Sequence, residues 1–565
     1  MRMSTDESRD EALAVETIAA AVEAGVTVFD TAHAYGLGPA DLGHNERLLA
    51  RAIRGCGAET SARIVTKGGM SRIDGGWVPD GRARSIVADC EASLAGLDGL
   101  PIDLYLIHAP DPRTPWRTSV RALARLLDEG LVGGVGLSNV NRRRLDEAVE
   151  LVPITAVQIA LNPFDDRGLR GGVVERCAET GIAVIAHSPL GGPNRAGRLA
   201  RNETLKAIAE AHDASPAEIA LAWLLQLSPI VVAIPGARRP ETARFAAHAA
   251  TLRLDESERS ILARELGTVR PTPVGRPRPS GAAEVILVMG IPGAGKGRVA
   301  EDYVTRGYVR LNRDERGGSL RDLADALDET LSSGIRRIVL DNTYLTRSSR
   351  SYVVETATRR GVATTCIWVD TPLAQAQVNV VERLLERVGA LPSPDELRTL
   401  VRHEPGLLAP TSQMRTLREL EPPSIDEGFA AVERVPFTRA PSAEPTREGV
   451  FVAAAAVTKP GWKELLEPTR REVPHLVFEW SPDGDSGALA DAVALVSAHV
   501  SGSVEAALCP HPAGPPRCWC RPPLPGLPLA FARAHGVDPS RSTLVGVGPA
   551  HRTLAATLGA RYVGL

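Results

Sequence analysis

Three groups of residues in this 565-residue chain have the types and spacing that chemistry requires. The first is Gly290-x-x-x-x-Gly295-Lys296, entered from the apolar run Val285–Met289 and followed by a helical pattern. Glycines let backbone N–H groups converge on phosphate oxygens, and the lysine adds a mobile positive charge. Gly290, Gly293, Gly295, Lys296 and Gly297 therefore read as a phosphate-binding loop for a nucleotide. The second group is Asp30, Tyr35, Lys67 and His108, each at or just beyond the end of a short apolar run. A lysine beside a phenol lowers the phenol's pKa from about 10 and eases proton transfer to a carbonyl oxygen. The aspartate would hold the lysine, and the histidine would orient the carbonyl. The third group is Cys509-Pro-His511 with Cys518-Trp-Cys520, three thiols and an imidazole within twelve residues. Three cysteines and one histidine suit a closed tetrahedral zinc site, structural rather than catalytic.

The elements that must position the second group fill residues 1–266. Strand-like runs at 26–30, 63–67, 103–108, 132–138, 156–162, 183–188 and 230–235 alternate with amphipathic segments such as 85–97, 119–129 and 205–211. Repeated β–α units of this number predict a closed (β/α)8 barrel, whose strand ends form one active face. Seven strands are visible where eight are needed, and the chain passes from Met-Arg-Met-Ser straight into a helical pattern. The first strand is accordingly expected to be truncated.

This segment resembles the aldo/keto reductases. The resemblance is carried by Phe29-Asp30-Thr31-Ala32-x-Ala34-Tyr35-Gly36, Asn45-Glu46-Arg47, Thr66-Lys67-Gly68-Gly69, Asp103-x-x-x-x-His108, Gly136-Leu-Ser138-Asn139, Val157-Gln158, His187-Ser188-Pro189-Leu190-Gly191 and Ile234-Pro235-Gly236. It implies NADPH-dependent reduction of a small carbonyl substrate, with Tyr35 as proton donor supported by Asp30, Lys67 and His108. It further implies that Ser138, Asn139 and Gln158 hold the nicotinamide amide, with Ser188, Leu190, Gly236 and Arg238 near the cofactor phosphates. One departure is Phe245-Ala246, where the family places a Glu-Asn pair for the adenine end.

A Pro/Arg-rich linker is expected at 267–282, stiff and extended because of its prolines. The phosphate loop then belongs to a domain at 283–438. Asp341 ends an apolar run beside that loop and is placed to serve Mg²⁺; Asp314, at another run's end, is placed to accept a proton from an attacking hydroxyl. Arg383 and Arg387 lie one helical turn apart, so both can point at the same phosphates. Gly297 and Arg298 stand where such loops usually carry the Mg²⁺-binding serine or threonine, which leaves the metal to Asp341, phosphates and water. The segments Gly-Ile-Pro-Gly-Ala-Gly-Lys296, Gly307-Tyr-Val-x-x-Asn312-Arg313-Asp314 and Asp341-Asn342-Thr343 with Ser349-Arg350 resemble the kinase domain of polynucleotide kinase–phosphatases. That resemblance implies phosphoryl transfer from ATP with Mg²⁺ to a 5′-hydroxyl end of DNA or RNA, with Asp314 as general base and Asn342 and Arg350 on the acceptor side. P-loop kinases of small molecules share the pattern, so that acceptor class stays open.

After a second proline-rich joint at 439–448, residues 449–565 resemble the zinc-bearing phosphatases of the haloacid dehalogenase superfamily, through the Cys/His motif and the Gly536-Val-Asp-Pro-Ser-Arg-Ser stretch. Pro522 and Leu524 stand where that family has lysines, and Val547 and His551 where it has aspartates. The expected strand at 449–457 carries no Asp-x-Asp nucleophile, and Asp483-Gly-Asp485 lies in a turn. Without a carboxylate nucleophile the segment is read as an inactive, zinc-stapled structural unit.

Composition limits the remaining choices. A formal charge of −3 excludes a bulk basic field for nucleic acid, so any such contact must be local. No run of eighteen apolar residues exists and the N-terminus is polar, which predicts neither a secretion signal nor a membrane span. Cys56, Cys90, Cys177 and Cys366 are scattered, as in a reducing cytoplasm. Only five lysines occur, and two of them are Lys67 and Lys296. The expectation is a cytoplasmic carbonyl reductase fused to an ATP-dependent kinase. The alternative is a barrel that binds NADPH without catalysis beside a small-molecule kinase or ATPase.

Overall fold

The computed structural model describes residues 2–73, 75–192, 195–266, 283–404, 406–438, 447–466 and 471–564. The expected linker at 267–282 and most of the joint at 439–448 lie outside the described residues. The chain divides into two compact units, Met1–Arg270 and Pro271–Leu565. Among the described residues no helix is long and apolar enough to cross a membrane.

The first unit is a parallel sheet of seven strands: β1 Val28–Asp30, β2 Arg63–Gly68, β3 Leu104–Ile107, β4 Val135–Ser138, β5 Ile154–Ala160, β6 Ala183–His187 and β7 Val231–Ile234. Each pairs with the next in chain order, as β–α units with right-handed crossovers dictate. Among the described residues β1 and β7 are the two edges, and helices Arg2–Thr5 and Glu11–Glu23 precede β1 in place of an eighth strand. The sheet is thus a nearly closed barrel.

Side chains sort by strand alternation. Val65, Leu104, Leu106, Ala156 and Ile185 form one small buried cluster, while the opposite faces join Ile86, Leu123, Leu145, Ile219 and Trp223 of the surrounding helices. Helix starts are written locally: Asp10, Asn141 and Asn202 accept from the third residue onward, and Ser215–Glu218 and Asp255–Glu258 close capping boxes. Two elements differ from expectation. The expected strand 156–162 begins at Ile154 and stops at Ala160, because Asn162 turns back to bridge Asp165. Between β2 and the helix Ala83–Gly96 the chain also forms an antiparallel hairpin, Met70–Ile73 with Gly76–Pro79.

The second unit holds two five-stranded parallel sheets. The first comprises β8 Glu284–Met289, β9 Val309–Asn312, β10 Arg337–Asp341, β11 Ala363–Asp370 and β12 Ala431–Pro436, in the order β9-β10-β8-β11-β12. The second comprises β13 Val450–Ala453, β14 His475–Trp480, β15 Val504–Cys509, β16 Thr543–Gly546 and β17 Arg561–Gly564, in the order β15-β14-β13-β16-β17. The expected strand 449–457 ends early, since Ala454–Val457 turn into a short helix. Helix α1 Lys296–Thr305 follows β8; α2 Leu373–Val388, α3 Pro394–His403 and α4 Pro410–Glu419 lie between β11 and β12. The two sheets share a core: Val378, Val381 and Leu385 of α2 pack in one cluster with Phe451, Phe478, Phe531 and Leu554.

Candidate functional site

In the barrel, the carboxyl ends of β1, β2 and β3 deliver Asp30, Lys67 and His108 to one place, and the loop after β1 returns Tyr35 to it. Lys67 Nζ donates to Asp30 Oδ1 at 2.6 Å, to the Thr31 carbonyl at 2.8 Å and to the Tyr35 hydroxyl at 3.4 Å. The lysine is fully buried and Tyr35 is buried. Burial opposes the charge on Lys67, but the Asp30 carboxylate and the Tyr35 phenol together outweigh it and raise the lysine's pKa. Burial of Tyr35 outweighs the nearby Lys67 charge and raises the phenol above its ordinary value, which corrects the expectation of a lowered one. The His108 ring stands edge-on to Tyr35 at 5.6 Å between centroids. Burial, reinforced by the Lys67 charge, pushes His108 down to about 3, so the imidazole is neutral and able to donate a hydrogen bond. Its Nδ1 is buried without a partner.

The residues expected to hold nicotinamide lie on the neighbouring strand ends. Asn139 Nδ2 donates to the His108 carbonyl and to Ser138 Oγ, both at 3.1 Å. Asn139 and Ser188 adopt left-handed backbone angles, φ 57° and 51°, conformations that cost non-glycine residues and collect at ligand clamps. Gln158 Nε2 donates to Asp30 Oδ2 at 2.6 Å, so the same amide also completes the Asp30–Lys67 pair. Leu190 packs against the barrel core, and Gly236 faces open space beyond β7. Arg238, expected near the cofactor phosphates, is 3.4 Å from Asp6. Phe245 is exposed on the helix Pro240–Ala249.

Three residues escaped the sequence reading. Trp77, on the hairpin after β2, meets Tyr35 at 6.0 Å and His108 at 5.9 Å, and Arg72 stacks on it at 4.2 Å. His187 Nε2 is 3.1 Å from Asn139 Oδ1, which joins β6 to the end of β4. The glycine pairs at 68–69 and 75–76 were the available signal for the hairpin.

In the second unit, Gly290, Gly293 and Gly295 have φ values of 153°, 84° and 92°, and Lys296 opens α1 behind Gly295. A side chain at Gly293 would meet the Ala376 carbonyl at 2.3 Å, so this glycine is packed against α2. Gly295 faces open space, and a side chain at Gly297 would meet only the Arg310 guanidinium at 3.9 Å, which leaves room for phosphate over the loop. The loop is tied from outside: Thr371 Oγ1 donates to the Ala294 carbonyl, Asn379 Nδ2 to that of Gly293 and Gln413 Nε2 to that of Pro292, at 2.8, 2.7 and 3.0 Å. Lys296 Nζ donates to the Ile291 carbonyl at 3.0 Å. Burial pushes Lys296 down to about 8; Asp341 and Asp314 act against that, and Arg383 with it. These four groups therefore share one electrostatic neighbourhood. Asp314 is exposed at the start of a short helix capped by Asn312. Arg383 donates to the Gly406 carbonyl at 3.3 Å, and Arg387 lies 3.7 Å from Glu404.

Two expected roles change here. Arg350 is fully buried: Nε and Nη2 engage the Glu427 carboxylate at 2.7 and 2.6 Å, and Nη1 donates to carbonyls of Tyr344, Leu345 and Glu421. It is a strut inside the domain, sealed from solvent and from an acceptor substrate. Asn342 is also buried, with its Oδ1 accepting from the Thr343 N–H. Asp341, read as a metal ligand, is gripped by Arg310 at 2.9 and 2.8 Å and by Asn312 at 2.9 Å, so a cation must compete with Arg310.

Cys509, His511, Cys518 and Cys520 converge, with their ligand atoms all within 4.8 Å of one another. The Cys509 sulfur is 3.8 Å from that of Cys518 and 3.3 Å from that of Cys520. Zinc–sulfur bonds of about 2.3 Å place tetrahedral ligands roughly 3.8 Å apart, so the donor set fits that ion. The ends of β13, β14, β16 and β17 carry Ala453, Trp480, Gly546 and Gly564, none of them a nucleophile.

Residues 1–264 match the family model described as "Aldo/keto reductase family", and residues 285–396 match one described as "AAA domain". The aldo-keto reductase str7 of Strobilurus tenacellus is 30% identical over 281 residues, covering 45% of this chain and 80% of the relative. The probable aldo-keto reductase 1 of Glycine max is 33% identical over 249 residues, covering 39% and 70%. A crystal structure of the thermostable aldo-keto reductase Tm1743 with the inhibitor epalrestat is 34% identical, covering 47% of this chain and 90% of that one, with a TM-score of 0.40.

Proposed function

We propose, for a chain that belongs to the aldo/keto reductase family through residues 1–264, that the barrel reduces a small aldehyde or ketone with NADPH and that the second unit transfers phosphate from ATP to a hydroxyl. The observation that carries the first half is the pre-built Asp30–Lys67–Tyr35 chain beside a neutral His108. His108 donates a hydrogen bond to the carbonyl oxygen, and Tyr35 gives that oxygen its proton while Lys67 stabilises the phenolate left behind. Asp30 keeps Lys67 charged, and Gln158 keeps Asp30 in place. Ser138 and Asn139 hold the nicotinamide amide, with Ser188, Leu190, Gly236 and Arg238 towards the phosphates. Bound NADPH supplies the hydride. Hydride transfer to a panel of aldehydes, followed as loss of NADPH absorbance, tests this half; an unchanged rate with and without carbonyl would reduce the barrel to a cofactor-binding module.

For the second half, the support is the open face over Gly295 beside Lys296, Asp314 and Arg383. Lys296 and the loop N–H groups take the β- and γ-phosphates, Arg383 and Arg387 cover them, and Asp314 accepts the proton of the attacking hydroxyl. Mg²⁺ with Asp341 would neutralise charge on the phosphates. The acceptor we assign is a nucleic-acid 5′-hydroxyl end. The engagement of Arg350 by Glu427 favours a second reading, in which a small-molecule hydroxyl is phosphorylated. Competition between a 5′-hydroxyl oligonucleotide and sugar acceptors for label from ATP separates the two. The domain limits we assign are 1–266, 283–438 and 449–565, the last an inactive phosphatase-like unit closed by zinc, and the location we assign is cytoplasmic.

A further inference from the structure

We propose that Trp519, fixed by a metal ion on the Cys/His cluster, is a positioning residue for the nucleotide loop, so that the cluster sets the affinity of the second unit for ATP. This rests on the phosphate-loop and zinc readings above.

Trp519 lies between two of the four ligands and is 2% exposed. Its Nε1 donates to the Leu408 carbonyl at 3.0 Å, across 111 positions of sequence. Its own carbonyl accepts from the Gly526 N–H at 3.1 Å, and a side chain at Gly526 would come within 2.5 Å of that oxygen, so the ring has no slack on this side. Leu391, in the turn between α2 and α3, packs against the three cysteines. The ligand loop thus touches the α2–α4 segment at two points, the α2–α3 turn and the stretch before α4.

The helices that flank those two points are the ones that hold the phosphate loop. Gly406, two residues before Leu408, accepts from Arg383. Pro410 begins α4, whose fully buried Gln413 holds the Pro292 carbonyl, and α2 supplies Asn379 to the Gly293 carbonyl. A ligand loop without its metal sets three thiols within 4.8 Å of one another and loses the bonds that close it. Trp519 then no longer pins Leu408, and the stretch before α4 gains freedom that nucleotide binding must remove.

The test uses the full chain. Metal content is measured, MgATP affinity is titrated with a fluorescent ATP analogue, and both are repeated after removal of metal by a chelator under reducing conditions and after zinc is restored. Coupling between sites of this kind shifts affinity by about tenfold or more, and zinc should restore it. NADPH affinity of the barrel should not change. Trp519→Phe keeps an aromatic ring but removes the donor and part of the indole's volume, and should weaken MgATP binding about threefold to tenfold with metal content intact. Nucleotide affinity that survives metal removal, or a purified chain without stoichiometric metal, overturns the coupling alone. A metal-loaded chain that binds no nucleotide overturns the phosphate-loop reading and the coupling with it.

Discussion

Two lysines define the two sites, and the fold treats them in opposite ways. Lys67 is sealed in the barrel with Asp30 at 2.6 Å, so its charge is balanced before anything binds. Lys296 has, among the described residues, the Ile291 carbonyl at 3.0 Å and no carboxylate partner, and burial pushes it down to about 8. A buried ammonium with a carboxylate partner keeps its proton; one without waits for an anion to complete it. The barrel site is therefore finished in the free protein, whereas the nucleotide site is electrostatically open and gains its full charge from the ligand.

The largest effect that would break this contrast is in the barrel. Tyr35→Phe should lower kcat for carbonyl reduction by about 10²–10⁴-fold, with NADPH affinity, read by fluorescence titration, unchanged. Rates near wild type would remove Tyr35 as proton donor. Next, Lys67→Met leaves the nearly buried Asp30 carboxylate without its counter-charge and should cost about 3–5 kcal/mol of stability, measured by denaturant unfolding. Lys296→Met removes no ion pair, so its stability should stay within about 1 kcal/mol of wild type. The same variant should lose roughly 10- to 100-fold in nucleotide affinity, since a charge-assisted bond to phosphate is gone. Equal destabilisation by the two lysine variants would collapse the comparison.

The pH dependences sharpen it further. Free Lys296, held near 8, is neutral in part above that pH, and a bound phosphate raises its pKa. ATP binding should therefore take up protons at alkaline pH, seen by calorimetry in buffers of different ionisation enthalpy, and affinity should fall as pH rises past 8. Tyr35 acts protonated and its pKa is raised, so the alkaline limb of kcat/KM for reduction should lie above pH ~10. His108, pushed down to about 3, should add no limb near pH ~6.5.

The barrel was legible from sequence because each site residue ends a short apolar run, and strand ends in such a fold share one face. The Cys/His cluster was legible because its four ligands lie within twelve residues. What failed involves partners far apart in the chain. Arg350 meets Glu427 77 positions away, and Arg310 meets Asp341 31 positions away. No local pattern marks such a pair, so Arg350 was read for substrate contact although it is fully buried, and the grip of Arg310 on Asp341 went unread. Trp77 was hidden for another reason: a short hairpin inside a β–α loop has no periodicity long enough to read. The sign of the Tyr35 shift was missed because it depends on burial, which only the packed fold determines.

The core shared by the two sheets of the second unit has a consequence for inheritance. Cut after residue 438, the middle segment would present Val378, Val381 and Leu385 of α2 to water, with no Phe451 or Phe531 to cover them. A recombination event that carried the middle segment away alone would deliver an aggregating fragment. The two sheets are therefore one unit for any cut or fusion of the chain, while the barrel closes a core of its own residues.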